Sequence, residues 1–187
     1  KVASIPKERM QVYFIDNEDY FKRKNIFNNK SGKFHSDNDE RCLFFCKGVL
    51  ETVIKLGWSP DIIHCNDWMS SLIPLLIKTS YNEQHIFENS KCIFSIYDNS
   101  FKEKLDKKMA EKIIDEDISK DMLKSLSTPD YNGLIKIASE YADAVIKPSN
   151  IKNKTLENFI SDFSSKNKVH EIEEGDKFVD SHYKLYN

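Results

Sequence analysis

The sequence predicts an α/β fold, an open and mostly parallel sheet with helices on both faces. Three observations carry that expectation. Short runs rich in β-branched and aromatic residues alternate with longer segments whose apolar residues recur at helical spacing. The connections between runs are long enough to hold the helix that a parallel crossover needs. Finally, 187 residues with 40% apolar and 31% charged side chains suit one domain. A chain of this length removes about 70% of its unfolded surface from water, so its core needs no metal or disulfide staple.

The first element is Gln11 to Asp16 (QVYFID), an aromatic and β-branched run with polar boundaries, hence a strand. Residues 17–38 are rich in Asn, Lys and Asp, with Lys30-Ser31-Gly32-Lys33 as a turn, and read as a loop too polar to be buried. From Asp39 to Leu56, Cys42, Phe45, Cys46, Val49, Leu50, Val53 and Ile54 share one helix face. Asp37 or Asn38 caps its start, and Gly57 suits the left-handed residue that ends it. Asp61 to Cys65 is the apolar burst of a buried parallel strand, and Trp68 to Thr79 a helix that Pro74 either kinks or starts late. Cys92 to Tyr97 (CIFSIY) is a third strand, and Lys102 to Lys124 carries helical spacing at Leu105, Met109, Ile113 and Ile114. Thr128-Pro129 opens a helix through Tyr141. Ala144 to Ile146 is a strand, Leu156 to Phe163 a helix, Val169 to Ile172 a strand and Phe178 to Tyr186 a closing helix.

Composition excludes several functions. With 28 basic against 30 acidic residues and a net charge of −2, no overall field holds a polyanion, which argues against nucleic acid. Gly32, Gly48, Gly57, Gly133 and Gly175 are too far apart for a Walker A loop, a G-x-G-x-x-G turn or a G-x-S-x-G elbow. Cys42, Cys46, Cys65 and Cys92 lack zinc-like spacing and have apolar neighbours, as reduced core thiols of a cytoplasmic protein would. No apolar run is long enough for a membrane span, and Lys1 begins no signal-peptide pattern. Asp37-Asn38-Asp39-Glu40 is like a calcium loop in composition only, so no metal site is expected. Lys22-Arg23-Lys24 and Lys102 to Lys108 read as solvated faces.

In open parallel sheets, ligands sit beyond the carboxyl ends of the strands. That rule selects Asp16-Asn17, His64 to Trp68 and Tyr97 to Asn99. His64 reads first as a hydrogen-bonded structural histidine and Asp67 first as a helix cap, each with a ligand role as the alternative. Trp58 and Trp68 are either core residues or sugar-stacking platforms, with core preferred. Tyr97-Asp98-Asn99-Ser100 is either a cluster for a hydroxyl-rich ligand or a strand-ending turn.

Three segments carry a resemblance: VYFIDNEDYFKRKNIF, DNDERCLFFCKGVLE and LGWSPDIIHCNDWMSSLIPLLIK. From about Gln11 to Phe101 the chain resembles the N-terminal half of bacterial glycogen and starch synthases, the family 5 glycosyltransferases. Asn66-Asp67-Trp68 is similar to the family's H-x-H-D-W segment, and KCIFSIYDNSF to its strand ending in T-V-H-N. The resemblance implies a Rossmann-like fold over residues 1–187, the N-terminal half of a GT-B enzyme without its first strands. Neither the family's K-x-G-G-L-x-D-V loop nor its nucleotide-binding C-terminal domain is expected in this chain.

It implies transfer of glucose from ADP-glucose to an α-1,4-glucan with retention, with no cofactor and with a nucleotide-binding partner domain. Asp67 and Tyr97 are its implied catalytic residues, and Asn66, Trp68, Asp98 and Asn99 its implied substrate contacts. Asn66 and Tyr97 stand where the family has histidines, and a phenol cannot reproduce imidazole acid–base behaviour near neutral pH. A noncatalytic glucan-binding or regulatory domain derived from the family is the alternative, and an enzyme on the same scaffold with a different donor or acceptor is a third reading. The first two readings expect Asp67 and Tyr97 side by side at the sheet's rim, facing one groove.

Overall fold

The chain opens with a hairpin, β1 (Val2–Ile5) and β2 (Met10–Tyr13), paired antiparallel from Val2↔Tyr13 to Ile5↔Met10. The computed structural model describes residues 1–97, 100–149, 151–164, 168–171, 182, 183, 185 and 186. The strand expected over Gln11–Asp16 is thus shorter and starts one residue earlier, and its partner is β1 instead of the main sheet. Periodicity missed β1 because all four of its residues are exposed, so no buried face imposes alternation. Asp16-Asn17 therefore does not lie at the main sheet's rim. Asn17 instead accepts the Tyr20 N–H at 3.0 Å and caps the short α1 (Glu18–Phe21).

Helix α2 (Asn38–Leu56) has the expected extent, and Gly57 ends it at φ 68°, where a side chain would be strained. Asp37 holds the N-cap position, but its carboxylate makes no cap hydrogen bond and pairs with Arg23 instead. Next come β3 (Ile62–Asn66), a 3-10 turn over Trp68–Ser70, and α3 (Ile73–Lys78). Pro74 lies in the first turn of α3, where its fixed φ and missing N–H do no harm, so this helix starts late. After β4 (Lys91–Ser95) the long crossover holds α4 (Met109–Ile113), a 3-10 stretch over Lys120–Leu126 and α5 (Tyr131–Tyr141). The remaining elements are β5 (Ala144–Lys147), α6 (Lys154–Ser164) and β6 (Val169–Glu171). The closing helix expected over residues 178–186 lies outside the described residues except at 182, 183, 185 and 186, which are helical.

Strands β3 to β6 form one parallel sheet in sequence order, with Asn66 opposite Ser95 and Ser95 opposite Ile146. Alternation sends Cys65, Cys92, Phe94 and Val145 into a core completed by Cys42, Cys46 and Leu50 of α2, Leu75 of α3 and Leu134 of α5. On the other face, Ile93 and Ile146 pack with Ile62, Ala144 and Leu185. All four cysteines are buried and free. Burial raises the Cys46 thiol, and the adjacent Cys92 sulfur together with burial raises that of Cys65, so both stay protonated. Among the described residues, no helix is long and apolar enough to cross a membrane.

The polar segment 17–38 is less external than its composition predicts. Phe27 and Phe34 pack on the core, and Asn38, Asp39 and Arg41 at the start of α2 are buried. Arg41 donates to the Ile26 carbonyl at 2.6 Å, and the Asn38 amide to the Phe27 carbonyl at 3.0 Å. Arg23, expected to be solvated, is instead held by Asp37. Lys112 reaches over from α4 to Asp39, Glu40 and Asp106 at 2.8, 2.7 and 2.9 Å. These pairs partner much of the buried polar surface, while Asp39 Oδ1 and Arg41 Nε are buried without a hydrogen bond among the described residues.

Two substitutions test this packing. Gly133 sits in the first turn of α5, where a Cβ would lie 2.6 Å from the Ser125 carbonyl and 2.8 Å from that of Thr128. Alanine's better helix propensity, about 1 kcal/mol, is outweighed by that clash. Gly133→Ala should lower the unfolding free energy by about 1–3 kcal/mol in urea titrations. Lys112→Met strands the Asp39 carboxylate, whose side chain is 0% exposed, and should cost about 3 kcal/mol in the same experiment.

The Arg23 guanidinium holds Asp37 below the ordinary carboxylate value of 3.8. At Asp143, burial pulls the carboxyl up, but the Cys92 N–H and Lys78 outweigh it and the net shift is down. Depressed carboxylates stabilise the fold above their unfolded value and lose that contribution as pH falls through the folded one. Stability should therefore hold from neutral pH down to about pH 5 and fall below about pH 4. Asp143→Asn should flatten the acid limb of the melting temperature against pH.

Candidate functional site

Strand β3 hands over to its crossover at Asn66-Asp67, and β4 ends at Ser95 two residues before Tyr97. The Asp67 N–H donates to the Ser95 carbonyl at 3.0 Å, extending the ladder one residue past β3. Asp67 itself has φ 57° and ψ −176°, a left-handed φ for a residue with a Cβ. Such a conformation costs on the order of 1–3 kcal/mol and persists only where its surroundings hold it. Buried Ser70 helps to hold it, its N–H donating to the Asp67 carbonyl at 3.2 Å. The Ser70 hydroxyl lies 2.9 Å from the Asn66 carbonyl and 3.0 Å from that of Asp67.

The capping role preferred for Asp67 is not made: it occupies the N-cap position of the Trp68–Ser70 turn with no side-chain cap bond. The left-handed backbone turns the carboxylate elsewhere. It accepts the Tyr131 hydroxyl at 3.1 Å on Oδ1. The same hydroxyl is hydrogen-bonded to the Tyr97 carbonyl. Sequence reasoning gave Tyr131 no role, because a tyrosine at a helix start looks like one more core aromatic and its partner lies 64 residues away. The only signal was its place after Pro129-Asp130, where the Asp130 carboxylate accepts the Gly133 N–H at 2.9 Å and caps α5.

Asp67 lines a cleft of about 500 Å³ whose aromatic walls are Phe27, Phe34, Trp68 and Phe101, with Asn28, Ser100, Lys102 and Glu103 as its other polar lining. A second cleft of about 310 Å³ shares Ser100, Phe101 and Lys102 and continues to Tyr131, Asn132 and Asn153. Trp68 is 3% exposed, its ring enclosed by Phe27, Phe101 and Phe34 at centroid distances of 4.8, 5.2 and 6.3 Å. It supports the wall as a core residue and offers no open stacking face. Trp58, also read as core, is 51% exposed.

Asn66 and Tyr97 meet on the opposite face. The Tyr97 hydroxyl donates to Asn66 Oδ1 at 3.0 Å, and the Asn66 amide donates to the His64 carbonyl at 3.2 Å. Tyr97 is 43% exposed and does not line the cleft that Asp67 lines. The two expected catalytic residues are thus joined through Tyr131 and the Tyr97 carbonyl, while their side chains diverge. Successive residues of a strand face opposite sides, and Asn66 carries Tyr97 to the side that Asp67 leaves. His64 is hydrogen-bonded, with Nε2 2.7 Å from Ser95 Oγ and Nδ1 2.6 Å from the Tyr186 hydroxyl. Burial, and then His182, lower its pKa, which keeps the ring neutral at neutral pH. Asp98 and Asn99 lie outside the described residues. Among the described residues no group of His, Cys, Asp and Glu could hold a metal ion.

A carboxylate that accepts hydroxyl hydrogen bonds, set between aromatic walls, suits a polyhydroxylated ring. Comparison with known proteins points the same way. The family model described as starch synthase catalytic domain matches residues 1–157. A glycogen synthase of Chlorobium luteolum is 43% identical over 120 residues, covering 64% of this chain and 24% of that protein. One of Chlorobium limicola is 35% identical over 152 residues, covering 81% and 30%. The chain therefore spans about a quarter to a third of these relatives' length. The catalytic domain of starch synthase IV from Arabidopsis thaliana, solved bound to ADP and acarbose, superposes with a TM-score of 0.58. That likeness, at 18% identity over 75% of this chain and 30% of the other, is one of fold. A family match over residues 1–157 of 187, with a curated relative 50% identical over 98 residues, settles membership: the chain belongs to the starch synthase catalytic domain family.

Proposed function

We propose that this chain is the sugar-facing half of a retaining glucosyltransferase that moves glucose from ADP-glucose to an α-1,4-glucan, with a partner domain gripping the nucleotide. The observation that carries this reading is the Asp67 carboxylate, held by a strained backbone at the end of β3 and lining an aromatic cleft of about 500 Å³. Departure of a nucleotide leaves positive charge on the sugar ring. A fixed carboxylate nearby stabilises that charge and orients hydroxyls without moving during the reaction. Asn66, Trp68, Asp98 and Asn99 are the proposed substrate contacts, with Trp68 acting through the wall it supports, and Tyr97 is proposed to act on Asp67 through its carbonyl, which shares the Tyr131 hydroxyl, with its side chain on the other face. Four buried free thiols support a reducing, cytoplasmic setting.

One observation favours a second reading. Asn66 and Tyr97, where the family's motifs carry histidines, are hydrogen-bonded to each other and supply no imidazole. On that reading the domain keeps glucan affinity and has lost transfer.

Incorporation of radiolabel from ADP-glucose into glycogen by the full-length protein separates the two. Turnover that Asp67→Asn lowers about 100-fold, with the melting temperature little changed, supports transfer. Glycogen retardation in affinity electrophoresis with no incorporation, weakened by Tyr97→Ala, supports the binding domain. Absence of both incorporation and retardation overturns the carbohydrate reading altogether.

A further inference from the structure

Helix α5 delivers one polar atom into the junction of β3 and β4, and a chain of packed residues fixes it there. The first turn of α5 is pressed against the Ser125 and Thr128 carbonyls at Gly133 and sealed by the Asp130 cap. Tyr131, the first residue of that turn, is 2% exposed. Its ring meets Phe101 edge to face at 5.6 Å and 85°, and Phe101 in turn contacts Trp68 and Phe34. With the ring clamped, the hydroxyl can be nowhere but between Asp67 Oδ1 and the Tyr97 carbonyl. A carbonyl has no proton to give and an ionised carboxylate none either, so the phenol is the donor to both, sharing one proton.

In Asp67 that donor reaches a carboxylate on an unusual backbone. Its strained φ removes the side chain from the cap position that would otherwise orient it. The backbone bonds to Ser95 and Ser70 act on its main chain, and the Tyr131 hydroxyl acts on its carboxylate. We infer that Tyr131 is a positioning residue that selects the Asp67 rotamer facing the aromatic cleft, locking it to the end of β4 through the same hydroxyl. The inference rests on the reading of Asp67 as the substrate-facing carboxylate, but its physical core, the coupling of the two side chains, stands apart from any substrate.

The test separates the two. Protein labelled with [γ-¹³C]aspartate reports the Asp67 carboxyl by NMR, assigned by its loss in Asp67→Asn, and calorimetry with maltoheptaose reports binding. Tyr131→Phe keeps the ring against Phe101 and removes only the hydroxyl. It should raise the titration midpoint of Asp67, because a hydrogen bond to the ionised form is lost. It should also weaken maltoheptaose binding several-fold, with no further loss when added to Asp67→Asn. Should Tyr131→Phe fail to fold, 3-fluorotyrosine placed at position 131 makes a stronger donor of the intact side chain, and should lower the midpoint.

An Asp67 titration unmoved by either change overturns the inference, as does a loss of affinity that adds fully to that of Asp67→Asn. A midpoint that moves while no variant or wild-type protein binds maltoheptaose upholds the positioning role and sinks the glucan reading instead.

Discussion

Everything at the rim of this sheet depends on one turn. Where β3 stops, Asp67 adopts a φ that side chains avoid, with its N–H tied to the last residue of β4 and its carbonyl held by Ser70. Because the pleat alternates, Asn66 points to one face and the carboxylate of its neighbour departs toward the other. Strain of this kind is stable only where several contacts over-determine it, and here they come from β4, from the 3-10 turn and from the far helix α5. Local backbone, sheet register and a long-range hydroxyl therefore act on the same residue.

The fold surrounding that turn is asymmetric. Among the described residues, one face of the sheet carries a continuous core with contributions from α2, α3, α5 and α6, while the other carries a cluster around Ile93 and Ile146. His64 and Ser95 sit on the Ile93 face, tied to Tyr186, and the Asn66–Tyr97 pair is at its edge. The segment between β2 and α2 closes the other side, where Phe27 and Phe34 build the cleft wall over Trp68. Its polar residues belong there because Arg41, Asn38 and Lys112 supply partners for carbonyls and carboxylates that would otherwise be buried alone.

This geometry bears on chemistry. Family membership is carried by residues 1–157, yet two positions where the family motif has imidazoles hold an amide and a phenol that satisfy each other. A neutral pair of this kind binds hydroxyls well and moves protons poorly near neutral pH. Asp67 is the strand-end carboxylate that lines the aromatic cleft, and its hydroxyl partner comes from a helix that begins 64 residues later.

The elements with strong local signals were legible in the sequence. Helix α2 was readable from the repeat of Cys42, Cys46, Val49, Leu50 and Val53 and from Gly57, since a buried stripe and a left-handed cap are both properties of neighbouring residues. The parallel strands β3 to β5 announced themselves as apolar bursts, and the positions of Asp67 and Tyr97 at strand ends came with them. Tertiary structure alone decided the rest: that β2 pairs with an exposed β1, that Trp68 is walled in while Trp58 is exposed, and that Asp67 and Tyr97 turn to different faces. It also decided that Tyr131 joins the two strand ends. Local spacing encodes which face of an element is buried. It does not encode which distant hydroxyl or carbonyl will meet a buried polar atom, because that pairing exists only once packing has brought the segments together.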